Sequence, residues 1–193
     1  MQNLTRFRSF IQDFTRLIDI VGNDEKKIFV AGKALLQNLI NHDDWLPEEF
    51  SEASSDQYQQ FLLHCDPHER FSVASFVWGA GQLTPIHDHT VWGMVGVMRG
   101  GEVCEEFSVD QASGELVAAG QHALHVGDVD LVSPTVGDIH RVSNALSDDV
   151  SISIHVYGAN IGMVDRHTYD QNSKKVQSFI SGYTNPVLPN IWG

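Results

Sequence analysis

Between Leu4 and Ile18 the apolar side chains fall at Leu4, Phe7, Phe10, Ile11, Phe14, Leu17 and Ile18. Steps of three and four put them on one face of an α-helix, so the spacing predicts an amphipathic helix over 4–18. Gly22-Asn23-Asp24 breaks that pattern and offers a cap for a second helix, because Asn and Asp side chains accept from the free N–H groups of a first turn. Ile28, Leu35, Leu36, Leu39 and Ile40 predict the second helix, and Asp43-Asp44-Trp45-Leu46-Pro47 ends it or starts a short turn.

From about residue 57 the character changes. Phe71–Trp78 has the aromatic and β-branched content of a strand. Similar short runs recur at 92–99, 102–109, 115–119, 122–126, 129–133 and 150–157, with Gly100-Gly101, Asp110–Gly114 and Gly127-Asp128 as turns between them. Many short strands with frequent turns predict a mainly β barrel or jelly roll, with the N-terminal helices packed outside it. The chain reads as a single domain over 1–193: a helical segment over 1–50, a barrel over 57–160 and a wrapping tail over 161–193.

Charge and composition narrow the functional classes. A net charge of −13 argues against nucleic acid and against an anionic membrane face as partners. The longest apolar run, near Val91–Met98, is too short to span a bilayer, and the opening residues lack the apolar core of a signal peptide. Cys65 and Cys104 lie outside any CxxC spacing, so the expectation is a cytoplasmic protein with both cysteines buried as small apolar groups.

The candidate chemistry begins at Gly81-Gln-Leu-Thr-Pro-Ile-His87-Asp88-His89. If His87 and His89 open a β-strand, positions i and i+2 share a face and their imidazoles form half of a metal site. His140, after the Gly/Pro-rich stretch from Gly127 and at the start of a predicted strand, is the best third ligand. Further on, Ser151-Ile-Ser-Ile-His-Val-Tyr157 alternates strictly. Ser153, His155 and Tyr157 therefore share one strand face, where they can form a hydrogen-bond chain along a barrel wall. His42, His64, His68, His122, His125 and His167 show no such partnership and are read as surface or loop residues.

These residues carry a resemblance. Gly81 through His89, then Gly127, Pro134, Gly137, His140 and Asn144, resemble the two signature motifs of the cupin superfamily, which implies a double-stranded β-helix (jelly-roll) barrel. Gly93 stands where the first motif has a glutamate ligand. Without that carboxylate, three neutral imidazoles leave a divalent metal its full positive charge, which favours an anionic ligand such as a thiolate.

With Ser153-x-His155-x-Tyr157 added, the chain resembles the thiol dioxygenases, the family of cysteine dioxygenase, over roughly 58–170, and most nearly its bacterial 3-mercaptopropionate branch. That resemblance implies Fe(II) on His87, His89 and His140. It implies a Ser153–His155–Tyr157 triad, in which Tyr157 meets the bound substrate and the other two orient it. It also implies a small thiol and O2 as reactants, giving a sulfinate.

Mammalian members carry a cysteine near the Gly93 position, cross-linked to the active-site tyrosine, and an arginine on an early strand for the substrate carboxylate. This chain has Gly93 and Gln60 there, with Arg166 after the triad strand as the implied carboxylate partner. That combination points to 3-mercaptopropionate over cysteine. Cupins host many activities, so a cupin enzyme of another metal-dependent reaction and a non-catalytic ligand-binding cupin stand as the alternatives.

Overall fold

The computed structural model describes residues 3–192. Helices α1 (Leu4–Val21) and α2 (Glu25–Ile40) come first. The strands follow as β1 (Gln59–Cys65), β2 (Ser72–Trp78), β3 (Ile86–His87), β4 (Gly93–Arg99), β5 (Gly101–Val109) and β6 (Leu116–His125), and then as β7 (Val129–Val132), β8 (Ile139–Asn144), β9 (Ser151–Tyr157), β10 (Arg166–Tyr169) and β11 (Val176–Phe179). Among the described residues no helix is long and apolar enough to cross a membrane.

The helices form for the reasons their spacing gave. Phe7, Phe10, Phe14 and Ile18 are buried on one side of α1, and Asp24 caps α2 by accepting from the Lys27 backbone N–H at 3.3 Å. Trp45 stacks on Phe7 with centroids 5.0 Å apart and donates its indole N–H to the Leu39 carbonyl, so its polar end is satisfied inside the core. The helices pack on the barrel's outside. α2 reaches β4 closely because Gly96 has no side chain: a Cβ there would lie 2.9 Å from Ile40 Cδ1.

Two antiparallel sheets make the jelly roll, in the orders β1-β2-β9-β4-β7 and β11-β10-β3-β8-β5-β6. β2 and β9 are buried along their whole length, and alternation sorts their side chains. Val73, Val77, Ile152, Ile154 and Val156 join the helices in the outer core. Ala74, Phe76, Trp78 and Tyr157 face inward and meet Val142 from the other sheet. Each large apolar side chain so buried stabilises the fold by roughly 1.5–3 kcal/mol. The barrel wall thus has a dry outer face and an inner face that carries chemistry.

Three expectations change. Residues 115–119 and 122–126 are one strand, β6, because β5 pairs with it throughout and a register shift at Glu106/Phe107 absorbs the irregularity near Gly120. Within the segment read as a wrapping tail, Thr184 and Asn185 accept from the backbone of β1, and an unexpected β10–β11 hairpin joins a sheet edge. Four of the histidines read as surface or loop residues, His64, His122, His125 and His167, sit in strands, and three of them have side-chain neighbours. His64 is half-buried beside Phe71, His122 bonds Asp130, and His167 bonds Asp88.

Candidate metal centre

β3 and β8 pair through one residue couple, His87 opposite His140. Strand pairing therefore sets these imidazoles side by side, with ring centroids 4.9 Å apart. His89 arrives differently from the strand expectation. β3 ends at His87, and Asp88, whose N–H donates to the His167 carbonyl, already belongs to a connecting loop. The Asp138 carboxylate folds that loop. It accepts from the backbone N–H of His89 at 3.0 Å and of Thr90 at 3.0 Å, and sits 3.1 Å from His89 Nδ1. Thr90 takes the left-handed conformation at φ +60°, which turns the chain away once His89 is placed. The His89 ring lies 4.9 Å from that of His87 and 4.8 Å from that of His140.

The three histidines are buried, and one ring nitrogen from each lies within 4.8 Å of the others. Their Nδ1 atoms are all engaged: His87 with the Pro85 carbonyl at 3.0 Å, His89 with Asp138, and His140 with Cys104 Sγ at 3.5 Å. The Nε2 atoms are left to converge. His89 Nε2 is buried without a partner, a costly state that a ligand on that atom would relieve. Burial, and then the neighbouring His89, lowers His87 to about 3, and the same causes hold His140 well below the ordinary range. Both rings are therefore neutral near pH 7, the form that ligates a metal.

Gly93 supplies no ligand and leaves no room for one. A Cβ there would stand 2.7 Å from Tyr157 Cδ1 and 2.9 Å from Val132 Cγ2. The Tyr157 ring fills that wall and stacks on His89 at 5.4 Å. Its hydroxyl lies 2.7 Å from His155 Nδ1, and His155 Nε2 lies 2.8 Å from Ser153 Oγ, so the three groups form one chain along the inner face. Phe76 stacks on His155 at 3.9 Å and seals it. Burial pushes the Tyr157 phenol above its ordinary value and His155 well below its own. The triad is thus a neutral, dry network.

A cavity of about 400 Å³ opens beside it, lined by Tyr58, Gln60, His87, Tyr157, Arg166 and Tyr183 among others. Arg166 is 4% exposed, donates to Ser181 Oγ at 2.6 Å and lies over the Phe179 ring. Its Nε and the Gln60 Nε2 are both buried without partners. Two orphaned donors, one of them cationic, line one cavity, and an anionic oxygen group would satisfy both.

Some participants were not singled out from the sequence. Asp138 stands two residues before His140, a spacing that could have flagged a buttress. Tyr58 and Tyr183 reach the cavity from distant segments. Cys104 is buried as expected, whereas Cys65 is only partly so; Cys104 rests against His140 and also groups with His122 and Asp130.

A family model described as cysteine dioxygenase type I matches residues 3–172. The chain is 27% identical to cysteine dioxygenase type 1 of Homo sapiens over 124 residues, covering 63% of this chain and 60% of that protein. With the Danio rerio protein of the same name it shares 23% over 165 residues, covering 81% and 75%. It therefore spans about 60% of the length of the human relative. Looser likenesses in fold, at a TM-score of 0.44 and 17% identity, include a double-stranded β-helix protein from Klebsiella pneumoniae, covering 59% of this chain and 83% of that one. The family match takes in both helices, strands β1 to β10, the three histidines, Ser153, His155, Tyr157 and Arg166, and the chain belongs to the cysteine dioxygenase type I family.

Proposed function

We propose that this protein is a mononuclear non-haem iron thiol dioxygenase that converts a small thiol carboxylate and O2 to the sulfinate, R–S⁻ + O2 → R–SO2⁻. The observation that carries this reading is the cluster of His87, His89 and His140 with an orphaned ring nitrogen, beside a cavity that also holds Tyr157 and Arg166. The donor set fits a ferrous ion. Three imidazole nitrogens would leave coordination positions open on such an ion. When bound, the ion supplies a positive charge for a thiolate and the redox capacity to engage O2.

The chain's own groups do the rest. Arg166 binds the carboxylate through a charge-assisted bond, and Gln60 donates beside it. Tyr157 hydrogen-bonds the reacting end of the substrate, with His155 and Ser153 fixing the direction of its hydroxyl. Phe76, stacked on His155, keeps water from the network. 3-Mercaptopropionate is favoured over L-cysteine for two reasons. Arg166 and Gln60 supply carboxylate donors from β10 and β1, and among the residues lining the cavity none is an Asp or Glu to meet an α-ammonium.

Protein purified under reducing conditions and loaded anaerobically with Fe(II) should consume O2 only when thiol is added, and the product should be sulfinate by NMR. A panel of 3-mercaptopropionate, L-cysteine and cysteamine separates the substrates. Absence of sulfinate with both carboxylate thiols overturns the reading. Tight thiol binding without O2 uptake would instead favour a ligand-binding cupin, and turnover with another divalent ion would favour a different reaction.

A further inference from the structure

We propose that Glu102 is a fourth member of the Ser153–His155–Tyr157 chain and that its protonation state sets the direction of every hydrogen bond in it, and so whether Tyr157 donates or accepts in the cavity. The consequence for turnover rests on the function proposed above; the hydrogen-bond argument does not.

Glu102 is the second residue of β5 and is wholly buried, paired with Asn144 on β8 and Leu124 on β6. Both carboxyl oxygens are shut off from solvent, and neither has a partner of good hydrogen-bond geometry. The polar groups that face them are the hydroxyls of Ser153 and Ser151 and the indole of Trp78. Two of these are already committed. Ser151 donates its proton to the Arg99 carbonyl at 3.0 Å, and Trp78 donates its N–H to Ser153 Oγ at 3.3 Å. Ser153 is left as the group whose single proton can turn either toward Glu102 or toward His155.

A serine hydroxyl has one proton and two acceptor sites, and a neutral imidazole has one proton for two nitrogens. Those counts allow two arrangements. With Glu102 neutral, its O–H donates to Ser153, Ser153 donates to His155 Nε2, and His155 carries its proton on Nδ1 and donates to the Tyr157 oxygen. The phenol proton is then free to point into the cavity. With Glu102 ionised, Ser153 donates to the carboxylate, His155 holds its proton on Nε2 and donates to Ser153, and Nδ1 accepts the phenol proton. Tyr157 then offers the cavity only a lone pair. Trp78 donates to Ser153 in both arrangements, so each leaves the serine saturated.

Burial pushes the Glu102 carboxyl up to about 7 against the pull of the facing donors, which puts both states within reach at ordinary pH. The titratable neighbours are Tyr157 and Cys104, which feel its charge, and His155, one hydroxyl away. Burial holds the first two protonated and His155 neutral, so none changes charge near pH 7. From β2, β6 and β8 come Trp78, Leu124 and Asn144, which do not titrate, and the Arg99 guanidinium of β4 is engaged by Asp43.

The test reads the tautomer of His155 in metal-free protein by NMR with 15N-labelled histidine, the signal being assigned by its loss in His155→Asn. In the unsubstituted protein the ring proton should sit on Nδ1 at low pH and move to Nε2 as pH rises through about 7. In Glu102→Gln, whose side chain does not titrate, the tautomer should be independent of pH. A tautomer that stays fixed across this range in the unsubstituted protein overturns the proposal, whatever the variant does. So does a change that persists unaltered in Glu102→Gln. Because no turnover is needed, failure of the dioxygenase reading leaves this result interpretable. Where turnover is present, the limb of kcat near pH 7 should disappear in Glu102→Gln with KM for the thiol unchanged.

Discussion

Gly93 and Tyr157 occupy one another's space: a Cβ on Gly93 would stand 2.7 Å from Tyr157 Cδ1, while the phenol reaches His155 at 2.7 Å. The aromatic ring fills the wall that a side chain at position 93 would otherwise occupy. The centre is left with imidazoles alone and an oriented hydroxyl.

Gly93→Ala should therefore displace the Tyr157 ring. Overpacking of this kind costs about 1–3 kcal/mol, and the bond from Tyr157 to His155 should be weakened with it. Urea unfolding and turnover at saturating thiol measure the two effects. If neither changes, the close approach has no consequence.

Asp138 holds His89 by accepting from its backbone and lying beside its Nδ1. Asp138→Ala should weaken metal affinity by about 10- to 100-fold, read by competition against a chelator. Tyr157→Phe should leave that affinity unchanged while slowing turnover. Loss of metal from Tyr157→Phe would mean the tyrosine is a ligand.

Arg166 is buried, with one orphaned nitrogen and Ser181 and Phe179 holding its plane. Arg166→Met should raise KM for 3-mercaptopropionate by about 10- to 100-fold, the equivalent of one charge-assisted bond. Arg166→Lys should not restore it, because the fork of donors is lost. Equal losses for cysteamine, which has no carboxylate, would contradict the role.

Away from the centre, Asp66 accepts from the Arg70 guanidinium, and then from the backbone N–H of His68 and of Arg70, which together lower its carboxyl to about 2 against the effect of burial. A folded-state value below the unfolded one means the stabilisation is present above about pH 4 and is lost as pH falls through about 2. Asp66→Asn should cost about 2 kcal/mol at neutral pH, with the gap to the unsubstituted protein closing in acid. A pH-independent difference would assign the loss to packing.

Much of the centre was legible because its periodicities are local. Ser153, His155 and Tyr157 share a face by the alternation of a strand, and β9 presents them that way whatever surrounds it. The Phe7–Phe10–Phe14 stripe likewise announced its helix and its buried side. His89 was read on the wrong basis: Asp138, 49 residues away, places it, and no spacing within His87–His89 encodes that contact. The β10–β11 hairpin was missed because its strands are short, polar and half-exposed, so they carry little apolar alternation.

By itself the sequence determined which residue types were available and which faces they would occupy: the histidines, the alternating Ser153–His155–Tyr157, and the glycine in place of a ligand. Those are properties of the backbone period and of side-chain chemistry. The tertiary structure decided the partnerships: His140 beside His87 through strand pairing, Tyr157 against Gly93, Arg166 brought to Gln60, and Glu102 set behind Ser153. Each joins segments far apart in the chain: the first two arise from strand pairing within one sheet and the last two from the closure of the two sheets on each other, and no single stretch of sequence specifies either.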